Sequence, residues 1–103
     1  MTKSFPDWLA KVNEKRKEYW DLNYTYKPYS PLTYKKGTKF VKIIDEDSVW
    51  GFVCMYTGYF KGVPVRIGDL MKAANWNAPA KHSRGNIWDG TDRWNFYGPE
   101  YLN

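Results

Sequence analysis

One cysteine and one histidine stand in a chain of 103 residues. That scarcity excludes an intramolecular disulfide and a four-cysteine zinc site. The lone thiol, Cys54, fits a reducing compartment. No apolar stretch approaches the roughly 20 residues that a membrane helix needs. Residues Met1 to Pro6 lack the apolar run of a signal peptide. The expectation is a cytoplasmic protein with no membrane partner. Phosphate-loop, dinucleotide-binding and metalloprotease signatures are all missing. His82 adjoins Ser83, a spacing that rarely gives triad geometry, and Cys54 lies in an apolar run as a small hydrophobe. The acidic run Asp45–Asp47 lacks calcium-loop spacing and reads as a solvated turn. The chain is therefore expected not to be an enzyme and to need no cofactor or metal.

Rings and positive charge are what it has in abundance. Six Trp, nine Tyr and five Phe accompany a formal net charge of +5. Rings and cations together suit stacking on bases and pairing with phosphates. Each ring also buries about 150–250 Å², so the rings can furnish the core of one small domain. The charge is uneven: residues 1–38 hold eight basic and four acidic groups, residues 39–103 eight and seven. A basic first third points to a polyanion or an acidic protein surface as partner. Solubility alone accounts for a few like charges equally well.

The chain divides into a basic amphipathic helix (1–22), a Tyr/Pro-rich strap (23–38) and a small β-rich region (39–103), together one folding unit. Ser4 is a helix cap, Pro6 fits the first turn, and Asp7 faces the positive end of the helix dipole. Trp8, Leu9 and Val12 form an apolar stripe that lapses at Lys15–Lys17, so the helix middle is expected to be solvated. Arg16 and Trp20 are spaced to stack. Pro28 and Pro31 hold the strap extended, its tyrosines packing on the domain or facing a partner. Strands are expected at 39–44, 49–56 and 63–67, with Pro64 on an edge and a bulge or curvature at Gly51. Residues 68–76 read as a short helix capped by Asp69, or alternatively as a turn between strands. Residues 77–86 read as loop, and Asp89–Asp92 as the turn of an aromatic hairpin. Tyr101 and Leu102 are expected to tuck back onto the core. The fold class is α+β: a helix and strap on a small curved antiparallel sheet of four to six strands, or an SH3-like barrel.

The segment Lys81–Asn86 gathers two cations, the histidine, a hydroxyl and an amide beside Gly85, which lets backbone amides turn towards an anion. Lys81, His82, Arg84 and Asn86 are therefore candidate contacts, although an ordered loop that satisfies its own polar groups explains them as well. In the hairpin, alternation puts Trp94 and Phe96 on one face and Arg93, Asn95 and Tyr97 on the other. Lys11, Lys15, Arg16, Lys17, Lys81, Arg84 and Arg93 are expected to meet phosphates, with Trp88 and Tyr97 stacking.

Residues Gly68–Trp76, with Ala78–Lys81 and Arg84–Asn86, are similar to short accessory proteins of tailed phages. Arg66–Leu70 resembles the first helix of some winged-helix regulators, but Pro79 and Gly85 break the place of a recognition helix. The phage resemblance implies a protein of the host cytoplasm that binds and redirects a host component. The leading expectation is a non-catalytic accessory factor engaging nucleic acid or a nucleic-acid-handling complex. The alternatives are an inhibitor of a host protein complex and a minor structural protein.

Overall fold

The computed structural model describes residues 4–24 and 26–100. Helix α1 spans Phe5–Asn23. The Ser4 hydroxyl accepts from the Asp7 amide at 3.2 Å, the cap that the sequence announces. The helix buries Trp8, Leu9, Val12 and Arg16. Trp8, Val12 and Arg16 stand four residues apart and so share one face.

Among the described residues nine strands follow: β1 Thr33–Lys36, β2 Phe40–Asp45, β3 Ser48–Cys54, β4 Gly58–Phe60, β5 Val63–Val65, β6 Asp69–Ala73, β7 Pro79–Asn86, β8 Trp94–Asn95 and β9 Gly98–Pro99. Five of them form an antiparallel sheet in the order β1-β2-β3-β6-β7. Strands β4 and β5 make a separate ribbon, and β8 with β9 another. Pro64 lies in the β4–β5 ribbon, where a missing amide costs little. The main sheet is an open, ordered succession of strands, not the closed barrel that was one of the two expected forms.

Side chains alternate between the two faces. One face, with Ile43, Val53 and Leu70, meets Trp8, Leu9 and Val12 of the helix and Leu32 of the strap. The other face carries Phe52, Cys54 and Met71, joined by Val65 and flanked by Phe40, Tyr56 and Phe60. The register between β2 and β3 shifts beside Gly51, where a bulge was expected. A Cβ on Gly51 would lie 2.9 Å from the Pro99 ring, so the missing side chain lets β9 close onto β3.

The strap is fastened at several points. Leu32 enters the core. Asn13 donates to the Leu32 carbonyl and accepts from the Leu32 amide and the Tyr29 hydroxyl. The end of the strap is itself β1, the edge strand of the sheet. Tyr26, at 80% exposure, is no anchor.

Four expectations require correction. Residues 68–76 hold no helix: Asp69–Ala73 is β6, and Leu70 and Met71 point into opposite cores. Pairing on both sides overrides the helix propensity of Leu, Met and Ala. Residues 77–86 are not loop, because Pro79–Asn86 is β7. Its pairing with β6 is irregular, since Asp69, Met71 and Ala73 face Asn86, Ser83 and Pro79. Extra residues on β7 erase the two-residue period that would have marked a strand. The C-terminal hairpin turns at Phe96–Tyr97 and not at Asp89–Asp92. The burial alternation expected there holds, with Trp94 and Phe96 half-buried and Arg93, Asn95 and Tyr97 exposed. Fourth, the middle of the helix is not uniformly solvated, because Arg16 is 2% exposed. Tyr101 and Leu102 lie outside the described residues.

Candidate functional site

Strand β1 ends in Lys35-Lys36, and the chain returns through Gly37, Thr38 and Lys39 into β2. Both lysines of β1 are exposed. Lys35 stands directly across from Lys42, and Lys42 directly across from Phe52 of β3. Cross-strand partners share a face, so two ammonium groups and a ring lie in one row. On this face the chain forms a groove of about 390 Å³. Lys35, Lys39 and Lys42 line it together with Phe40, Phe52 and Asn77. Lys36 reaches it from the strand end, although its cross-strand partner Val41 lies on the other face. Among the described residues the lining contains no carboxylate. Among the described residues, no ion pair involves any of these four lysines.

Rings fix the floor and two of the cations. Phe40 packs edge-on against Phe52, Tyr56 and Phe60, with centroids 6.2, 6.0 and 5.1 Å away. The Lys42 ammonium lies 4.4 Å from the Trp76 ring centroid, and that of Lys39 lies 5.7 Å from Tyr56. Trp76 projects from the turn between β6 and β7. The amides of Ala74 and Asn75 both donate to the Ala78 carbonyl, and the Asn77 amide donates to Asn75 Oδ1. The indole remains 47% exposed. The result is a positive, ring-floored trough between two tight turns.

A family model matches residues 2–99, nearly the whole chain. The chain belongs to DUF7717, a family of unknown function. No curated protein and no solved structure matches it.

The residues singled out from sequence fall elsewhere in this DUF7717 fold. Lys11, Lys15 and Lys17 are exposed on α1, which packs on the sheet face opposite the groove. Lys17 pairs with Asp21 at 2.7 Å. Arg16 is committed to the interior. It donates to the Phe96 carbonyl, the Tyr29 hydroxyl and Asp45 Oδ2 at 3.0, 2.8 and 3.0 Å. Its guanidinium lies 4.3 Å from the Phe96 ring centroid, so the expected Trp20 stacking partner is replaced by Phe96.

Arg84 is likewise buried, donating to the carbonyls of Glu100 and His82. Burial lowers its pKa from the ordinary arginine value. Asn86 is a hub. Its amide nitrogen donates to the Ile67 carbonyl and Asp69 Oδ1, and its side-chain oxygen accepts from the Trp88 amide. Trp88 packs, half-buried, against the helix-side core. Lys81, His82 and Arg93 are exposed. Of the four candidates in the segment 81–86, then, Lys81 and His82 face solvent and Arg84 and Asn86 hold the fold.

Tyr97 sits in the β8–β9 turn, 69% exposed. The neighbouring Tyr24 and Tyr19 phenols lower its pKa from the usual tyrosine value, while those of Tyr24 and Tyr19 are raised by the proximity of Tyr97. The groove lysines Lys35, Lys36, Lys39 and Lys42 were the residues that sequence reasoning missed. A legible signal existed in the two Lys-bearing segments around Gly37, a turn glycine that brings them onto paired strands.

Proposed function

We propose that the protein acts by binding rather than catalysis and that its ligand is nucleic acid, held in the lysine-lined groove. The observation that best supports this reading is Lys35 in register with Lys42. Like charges directly opposite on a sheet are destabilising. A polyanion reverses the sign of that interaction. Among the described residues, the groove lining supplies no carboxylate to do so.

Each phosphate neutralised releases condensed counterions, so affinity falls with salt. Four lysine contacts imply a slope of about −3 in log K against log salt for a single strand. The test is an anisotropy titration of a labelled oligonucleotide between about 50 and 200 mM salt. A flat response, or no binding at the low end, contradicts the proposal.

A second reading has its own support. Tyr26 and Tyr97 are exposed together with Leu22, and tyrosines are frequent anchors at protein interfaces. The resemblance of Gly68–Trp76, Ala78–Lys81 and Arg84–Asn86 to short accessory proteins of tailed phages implies the same kind of partner, a host protein complex. Pull-down from nuclease-treated lysate separates the readings. A stoichiometric protein that survives nuclease and is lost with Tyr97→Ala favours this second reading; recovery of nucleic acid alone favours the first.

A further inference from the structure

We propose that the groove takes a single strand, with a base stacked on the open side of Trp76 and the neighbouring phosphates on Lys35 and Lys42. This rests on the nucleic-acid reading above and narrows it. Three observations carry it. First, the floor is aromatic, with Phe40 and Phe52 lining the groove and Trp76 exposed beside it. In a duplex the base faces are buried in the stack, whereas a single strand presents them to rings.

Second, the surface is recessed. Duplex grooves are entered by a projecting helix or ribbon. Here the chain offers a trough bounded by the β1–β2 turn and the β6–β7 turn. From β1 to β6 there are three strand spacings, about 14 Å at roughly 4.8 Å each. That width suits a strand laid across the sheet.

Third, Trp76 is already oriented. Its turn is closed by three backbone-amide hydrogen bonds, and Lys42 covers one side of the ring. A base on the other side completes a sandwich of base, indole and ammonium. The Lys42 charge stays beside the strand, and little side-chain freedom remains to be lost.

The experiment compares fluorescein-labelled oligo-dT and oligo-U of about 15 nucleotides with a duplex of the same length. Wild type, Trp76→Ala and Trp76→Phe are titrated at low salt, and their melting temperatures are recorded. Either single strand should bind at least about tenfold tighter than the duplex. The tighter of dT and U identifies DNA or RNA as the source. Trp76→Ala should weaken single-strand binding by about tenfold at unchanged salt slope, because a ring and not a charge is lost. Trp76→Phe should restore most of it, which covers the case of a poorly folded alanine variant. Duplex binding as tight as single-strand binding, or an unchanged affinity in both Trp76 variants, overturns the single-strand inference. Absence of salt-dependent binding to every probe instead removes the groove reading on which it rests.

Discussion

Truncating Arg16 removes one donor group from three acceptors at once: the Phe96 carbonyl, the Tyr29 hydroxyl and the Asp45 carboxylate. Breaking a buried ion pair by deleting one partner costs about 3–5 kcal/mol. Asp45 is one-third exposed, so the lower end applies. Arg16→Met should therefore lower the melting temperature by 10 °C or more, taking about 4–8 °C per kcal/mol for a domain of this size. A variant with wild-type melting and lost ligand binding would instead make Arg16 a contact residue. Cys54 gives an independent check. Burial pushes its thiol pKa up, and the side chain is 1% exposed. Because the thiolate is the reactive form, native Cys54 should react with a disulfide reagent at least about a hundredfold slower than the urea-unfolded chain. Equal rates would place the thiol at the surface.

Between residues and the whole lie the elements, and here sequence signals diverged in quality. Helix α1 was legible because a cap, a first-turn proline and an apolar stripe agree over Ser4–Val12. Strands β2 and β3 were legible from β-branched and aromatic runs around an acidic turn. Strand β6 was obscured by residues that favour helices, and β7 by extra residues that break its alternation. The structural burial of Arg16, Arg84 and Asn86 was illegible for a common reason. Each depends on at least one partner 16 or more residues away, Phe96 for Arg16, Glu100 for Arg84 and Ile67 for Asn86, which no local pattern encodes. Gly85 probes the irregular strand directly. Its φ is +94°, and a Cβ there would lie 1.9 Å from the Thr91 carbonyl oxygen. Gly85→Ala should cost about 3 kcal/mol or more, strain and clash together, measurable by urea unfolding. At the β1–β2 pair the sign reverses: Lys35→Gln removes a like-charge contact and should leave stability unchanged or raise it by a few tenths of a kcal/mol. A clear loss would show that Lys35 serves the fold.

Taken as a whole, the molecule separates its two sheet faces. One face carries the helix and the strap over the main core. The other is partly covered by the β4–β5 ribbon and elsewhere opens into the groove. Among the described residues, no helix is long and apolar enough to cross a membrane. Positive charge is thus presented on two sides, by Lys11, Lys15 and Lys17 of α1 and by the four groove lysines. Non-specific attraction by the net charge of +5 would draw on both sides alike. A built site would draw on one.

The most direct measurement compares two neutralised proteins in the same salt-dependent binding titration. One carries Lys35, Lys36, Lys39 and Lys42 as Gln; the other carries Lys11, Lys15 and Lys17 as Gln. The expected result is that the groove variant keeps its melting temperature but loses most affinity and nearly all of the slope, at about 0.7 per lysine on a single strand. The helix variant should retain a slope close to wild type. Equal losses per lysine in the two variants, or a groove variant that binds like wild type, would contradict the assignment of the groove.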